Sequence, residues 1–365
     1  MNTSCAPIEW DVSESRTRRL HVTSPVPREV WREVLKSDAG SLVTQTPVWL
    51  DCICAMGGYE DASRLYETPE GRQLVLPMVR RKHLPEALTT VASLPYSWGF
   101  GGLVAAVEAF QAEEVAAVFA DLAGLPFLHA SIRPQPLAAE TWAAARPPGV
   151  ITIPRLAHAL DLEGGFERVW TKRFASETRS AVRKAERAGL VVECDTSGKL
   201  VPVYYDLFRR SVDRWAYQQH EPLLLARWRS QQRDPLRKFQ LIARALGEAC
   251  RIWIAWVNGQ PAAAILVLQG ANAHYTRGAM DKALAGPTRA NDLLHRLAIE
   301  EACRAGCRYY HMGESGASAS LANFKSRFGA IAHPYAEYRL ERLPITSIDD
   351  RLRRLVKRLI GFKDT

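Results

Sequence analysis

The sequence predicts an α/β (α+β) protein of two domains, and three observations carry that prediction. Its 365 residues exceed what one hydrophobic core usually organises, so two domains of roughly 150 to 200 residues are expected. The second half alternates helix-patterned and strand-patterned runs. The first half repeats that order of elements at low residue identity, as an internal duplication would. The proline-rich stretch ARPPGVITIPR, 145–155, reads as the connection, giving domain spans of 1–158 and 159–345 and a tail at 346–365.

In the first half the order is a helix at VWLDCICAMGG, strands within RLYETPEGRQLVLPMVRRK, a helix at AVEAFQAEEVAAVFADLAG and the strand PFLHASI. The second half opens with a helix over 171–188, where strong helix formers precede Gly189 as the terminating glycine. The strand LVVECD and the amphipathic helix LVPVYYDLFRRSVDRWAYQQ follow. RIWIAWV, PAAAILVLQ and AHYTRGAM are β-branched and aromatic runs joined by Asn258-Gly259 and by GAN, the pattern of an antiparallel meander. A helix with Asn291 or Asp292 near its start and Gly306 past its end leads to a strand at 308–312, a short helix around Phe324 and the strand HPYAEYRLERL.

Composition excludes some classes. No run approaches the roughly 18 apolar residues a membrane-spanning helix needs, and MNTSCAPIEWDVSESRTRRL carries acids and lacks the apolar stretch of a secretory signal. A cytoplasmic location is the expectation. Of seven cysteines, Cys52 with Cys54 and Cys303 with Cys307 lack C-x-x-C spacing, so no metal site is expected and the thiols are read as reduced and buried. A net charge of +9 favours polyanionic partners such as RNA, nucleotide-linked substrates or an anionic membrane.

The stretch HMGESGASASLANFKSRFGA, 311–330, is the most informative. Its Gly, Ala and Ser residues are too bare for a core and suit close approach of another molecule to the backbone. Together with TQTPVWL early in the chain and RSAVRKAERAGL in the second half, this stretch resembles the FemAB-like branch of the GNAT acyltransferase superfamily. The resemblance implies two tandem GNAT-like domains, each a mixed central sheet flanked by helices, with the first degenerate and the second catalytic. It implies transfer of an aminoacyl group from aminoacyl-tRNA to a small amine or peptide acceptor, forming an amide in peptidoglycan-type or natural-product biosynthesis, with no cofactor.

The same resemblance places the donor carbonyl in a gap between the strands AHYTRGAM and RYYHMG. Tyr275, at a family tyrosine position, is expected to position or protonate; Arg277 shares its direction. Lys325 and Phe324 match a Phe-Lys pair facing the aminoacyl ester, the lysine stabilising an oxyanion or a phosphate and the phenylalanine stacking on the terminal adenine. The competing reading makes NFKSRF an amphipathic helix, with Phe324 and Phe328 in the core and Lys325 solvated. The base is Glu314, His311 or the substrate itself, and Ser315 lies in the same loop. GESGA lacks the last glycine of a nucleophile elbow, which excludes a serine hydrolase.

In MDKALAGPTRANDLL the pyrophosphate-binding pattern of CoA-dependent GNAT enzymes is broken, because Pro287 has no N–H to offer. Lys282, Arg289 and Asn291 remain candidates for a phosphate. Arg179 and Arg183 lie one turn apart on a basic helix stripe. Arg214 resembles an arginine that grips an acceptor diphosphate, whereas Trp49 is followed by LDCICAMGG without the lysine usual in nucleotide-sugar-using relatives. A smaller amine acceptor is therefore expected. The tail SIDDRLRRLVKRLIGFK is a basic amphipathic helix. The family likeness has it packing back on the first domain; contact with anionic membrane or tRNA is the alternative. Two rival functions stand beside the lead: an acyl-CoA or acyl-carrier-dependent N-acyltransferase, and a non-catalytic module binding RNA or a glycan.

Overall fold

The computed structural model describes residues 20–106, 109–316 and 318–363. The N-terminal stretch read as lacking a secretory signal lies outside them, up to residue 19. The chain divides into two compact units that interleave: one takes residues up to 38, 45–154 and 335–353, the other 39–44, 155–334 and 354 onward. The sequence reading had contiguous spans. Both crossings near 154 and 334 fall inside long strands, Ile151–Asp161 and Ile331–Glu341, so no loop composition marks them.

The first unit holds an antiparallel sheet of His21–Thr23, Arg64–Glu67, Gln73–Leu76 and Val104–Ala105. Thr90–Ser93 and His129–Ile132 pair in parallel beside it in sequence order, with antiparallel neighbours on either side. The helix Ala112–Ala123 presents Val115, Val118, Phe119 and Leu122 as one buried stripe. That stripe meets Trp142 and Tyr338 in an aromatic core.

The second unit begins with β1 (Ile151–Asp161), continues through α1 (Ser176–Arg187), β2 (Val191–Asp195), α2 (Val201–Gln218), α3 (Leu223–Arg233) and α4 (Leu236–Leu246), and reaches the meander β3 (Cys250–Val257), β4 (Gln260–Gln269) and β5 (Ala273–Met280). α5 (Lys282–Thr288), α6 (Ala290–Arg304), β6 (Tyr309–Glu314), α7 (Ala319–Ser326), β7 (Ile331–Glu341) and α8 (Ile345–Leu359) complete it, β7 and α8 crossing the division. Its sheet runs β2-β3-β4-β5-β6-β1, antiparallel except for β5 beside β6. Leu294, Ala298, Ile299 and Ala302 of α6 cover one face of that sheet.

Two local differences from the sequence reading have physical causes. The expected helix over 171–188 is interrupted: a π turn at Val169–Arg173 ends at Phe174, which is extended, and α1 starts afresh. Phe174 is buried edge-on to Phe328, and the Ala175 N–H donates to the Arg327 carbonyl, so tertiary contacts override helix propensity there. At the tail, α8 forms as expected, but Leu352, Leu355, Val356 and Leu359 of its apolar stripe are exposed. Cys52, Cys250 and Cys307 are buried free thiols, whereas Cys194 is exposed. No described helix is long and apolar enough to cross a membrane.

Candidate active site

The site arises where two neighbouring strands stop pairing. β5 and β6 match in parallel at Ala273 with Tyr310 and at His274 with His311. Asn272 fixes their common start: its amide donates to the Ala39 carbonyl at 2.8 Å and its carbonyl oxygen accepts from the Tyr309 N–H at 2.9 Å. Beyond His274 each strand is bent by its own irregularity. β5 bulges at Thr276 against Leu266 and Val267, and β6 shifts register against β1 between His311 and Gly313. Gly313 has φ +69°, a conformation glycine adopts without a steric cost. Pairing of β5 with β6 therefore stops where the opening is expected.

Parting strands leave backbone carbonyls without ladder partners, and a buried acceptor needs a donor. Lys325 supplies it. From α7 its Nζ donates to the Gly313 carbonyl at 3.0 Å and to the Glu314 carbonyl at 2.6 Å. An ammonium has three N–H groups, and the third has no acceptor among the described residues. Ser318 caps α7 by accepting from the Leu321 N–H. Phe324 and Phe328 anchor the helix around the His295 ring. The reading of Lys325 as solvated is overturned, since the residue is 2% exposed. Burial pushes its pKa from 10.5 down to about 7, against a smaller opposing pull from Glu314.

Around the lysine lie four histidines, of which only His311 was a sequence candidate. His158 on β1 stands opposite Gly313 in register and is buried, and its Nδ1 has no hydrogen-bond partner among the described residues. Burial first, then the Lys325 charge, lowers its pKa, so it is a neutral imidazole at neutral pH. His274 and His295 are pushed down to about 3 by burial with the same charge adding, and His311 to about 3 by burial with His274 and His333 adding. His158 on β1 and His274 on β5 read as buried strand residues; cross-strand register through β6 gathers them.

Tyr275 packs edge-on to His295 at 4.6 Å, with its hydroxyl lying over Gly278, where a Cβ would come within 2.3 Å of it. Burial pushes its pKa up to about 12. Glu314 and Ser315 end β6; Ser315 is buried, its N–H donates to Leu156, and its Oγ has no partner among the described residues. Tyr275, His311, Glu314, Ser315, Phe324 and Lys325 are thus brought into one neighbourhood around the parting of β5 and β6.

Other predicted site residues are committed elsewhere. Arg277 is paired with the buried Asp234 at 2.6 Å and lies over Phe208. Arg214 donates to the Met280 carbonyl at 2.6 Å. Arg179 donates to the carbonyls of Trp170 and Phe174, tying down the interrupted helix, while Arg183 is exposed on the same stripe. Lys282 and Arg289 are exposed, and Arg289, at φ +58°, caps α6 in place of the expected Asn291 or Asp292. The Asn291 amide donates to the Met280 sulfur. Trp49 belongs to the first unit, where it is buried edge-on to Trp98 and donates to the Trp98 carbonyl. No group of described His, Cys, Asp and Glu residues is placed to hold a metal.

Residues 172–326 match the family described as Acetyltransferase (GNAT) domain. Among solved structures, the crystal structure of FemX aligns with a TM-score of 0.62 at 11% identity, over 90% of this chain and 99% of that one. A conserved protein of unknown function from Bacteroides thetaiotaomicron VPI-5482 aligns with a TM-score of 0.50 at 11% identity, over 86% and 95%. No curated protein sequence matches the chain. At these identities the structural likeness is one of fold.

Proposed function

We propose that this chain, GNAT-like over residues 172–326 and similar in fold to FemX, is an acyltransferase that moves an aminoacyl group from aminoacyl-tRNA to the amine of a small acceptor. The observation that carries the reading is Lys325: a buried ammonium with one uncommitted N–H beside the mouth of a parted sheet. Such a group is costly to bury unless an anion forms next to it.

The amine nitrogen attacks the ester carbonyl held in the opening, and the carbonyl oxygen gains negative charge within reach of the Lys325 N–H. The tetrahedral adduct collapses by breaking the carbon–oxygen ester bond, releasing the ribose hydroxyl. The proton lost by the amine passes to His158 Nδ1 and then to the leaving oxygen, so no covalent enzyme intermediate is needed. In this scheme His158 takes the role for which Glu314 and His311 were the sequence candidates. Glu314 holds the lysine protonated, in keeping with its upward pull on that pKa. Tyr275 orients the donor.

Support for a donor other than CoA comes from 280–294. This stretch folds into α5 with Pro287 inside it, and its Ala283 N–H is already taken by the Asp281 side chain. The rival acyl-CoA reading draws on the family match itself. Incubating the protein with a mixture of charged tRNAs and candidate amines is expected to discharge one tRNA species with amide formation; no discharge with any amine removes the proposal. Thermal stabilisation by CoA thioesters without tRNA discharge selects the rival.

A further inference from the structure

Two helices of the second unit carry large apolar side chains that the unit leaves uncovered. α3 buries only Ala226, while Leu224 is 81% and Trp228 62% exposed. The end of α2 adds Tyr217, 86% exposed, and the partly exposed Trp215. In the last turns of α8, Leu355 and Leu359 are 53% and 76% exposed and Val356 lies beside them. The two regions are tied together, because the Lys363 N–H donates to the Gln219 carbonyl at the end of α2 at 2.9 Å. Lone exposed apolar residues are ordinary, but tied helices sharing a run of leucine, tyrosine and tryptophan mark an interaction surface.

The charge around this run says what covers it. Residues 345–359 carry Arg351, Arg353, Arg354, Lys357 and Arg358 against Asp349 and Asp350. The spacing puts Leu352, Leu355, Val356 and Leu359 on one stripe, with basic residues flanking it. On α3, Arg227 and Arg229 are held by Asp213 and Glu221, so acids near the patch are neutralised in pairs. Cations flanking an apolar stripe complement a surface that is at once anionic and apolar, whereas nucleic acid would leave the leucines wet. The combination of exposed Trp and Tyr, leucines and flanking Arg and Lys is what the headgroup region of a bilayer accommodates.

We propose that the end of α2, α3 and the last turns of α8 form one docking surface for an anionic lipid bilayer. Leu224, Trp228, Leu355 and Leu359 enter the headgroup boundary, and Arg354, Lys357 and Arg358 meet lipid phosphates. The surface is independent of the proposed chemistry, and its test does not require turnover.

The full chain is sedimented with vesicles of phosphatidylcholine alone and of phosphatidylcholine with phosphatidylglycerol. Binding to the anionic vesicles, weakened by salt and nearly absent on the neutral ones, is expected. Removing charge with Arg354→Gln and Lys357→Gln should cost roughly fivefold in affinity for each residue. Leu224→Ser on α3 and Leu359→Ser on α8, made separately, should each weaken binding roughly tenfold or more, from lost apolar burial. Both positions are exposed, so their folding is checked by unchanged melting. Trp228 emission should shift to the blue on anionic vesicles, a shift absent from Trp228→Phe. Equal binding to both vesicle types, or binding untouched by both serine substitutions, overturns the proposal. So does a concentration-dependent dimer that the same substitutions dissolve, or a tRNA complex lost with the charges and indifferent to the leucines.

Discussion

Replacing Lys325 with methionine should inactivate the protein and change its stability by an amount that depends on pH, and that pH dependence is the test. Lys325 is 2% exposed, with its pKa lowered from 10.5 to about 7 chiefly by burial. The sign follows from proton counts. Between about 7 and 10.5 the unfolded chain keeps this proton and the folded protein releases it, so folding stability rises with pH across that window. Below 7 both states are protonated and the full cost of burying the charge applies, about 5 kcal/mol at 1.36 kcal/mol per pKa unit. Between pH 6 and pH 9 that cost falls by about 3 kcal/mol. Methionine fills similar volume without the charge but leaves the Gly313 and Glu314 carbonyls without their donor, which costs about 1–3 kcal/mol each and is independent of pH. The stability of Lys325→Met relative to the natural protein should therefore be highest near pH 6 and fall by about 3 kcal/mol by pH 9, or roughly 6–12 °C in the melting transition of a unit this size. Scanning calorimetry of both proteins at four pH values reads this directly. A gap that stays constant with pH would falsify the claim that a cation is buried here.

Acyl transfer by the natural protein should decline as pH rises through about 7, because the oxyanion needs the charged lysine; Glu314→Gln, by removing a charge that raises that pKa, should move the decline to lower pH in kcat/KM profiles. His158→Gln should lower kcat by roughly 10²- to 10⁴-fold with little change in melting, and in the natural protein the acid limb should fall below 6.5, since burial lowers that imidazole's pKa; an unaltered kcat removes His158 from the proton route. Gly278→Ala should displace the Tyr275 ring, whose hydroxyl lies 2.3 Å from the added methyl position, raising KM and altering tyrosine fluorescence while the fold persists. Asn272→Ala should destabilise the second unit by about 2–4 kcal/mol, since it deprives two buried backbone groups of partners; a change below 1 kcal/mol in urea unfolding would remove its role as the staple of β5 and β6.

The elements of the second unit were legible because their periodicity is strong and local. The three strands of the meander are short apolar runs bounded by Asn258-Gly259 and by Gly270 to Asn272, and they form as such. Lys325 was legible through the bare loop before it and the Phe-Lys resemblance. His158 and His274 were not. His158 lies between alanines and His274 between Ala273 and Tyr275, and their meeting depends on register through β6, which lies more than a hundred residues from β1 along the chain. The arginines misled for a related reason: Arg179, Arg214 and Arg277 have the charge of a binding stripe, but each is turned onto a carbonyl or a carboxylate by a bend or a buried aspartate that local sequence does not encode.

The opening and the lysine have a common origin. A bulge in β5 and a register shift in β6 separate two strands that are stapled together one residue earlier, and the separation strips ladder partners from the carbonyls at the end of β6. A neutral donor would satisfy those carbonyls at lower cost than an ammonium whose pKa is pushed to about 7. On the proposed reading the charged group is retained because its third N–H meets negative charge that appears during the reaction and is absent before it. Glycines flank the lysine helix for separate reasons: Gly313, before it, has φ +69°, and Gly329, after it, lies so close to the Arg173 carbonyl that a Cβ would come within 2.6 Å. Strain and charge are concentrated where the donor carbonyl is expected to lie, and the rest of the unit is an ordinary packed sheet and helix core that supports the cost.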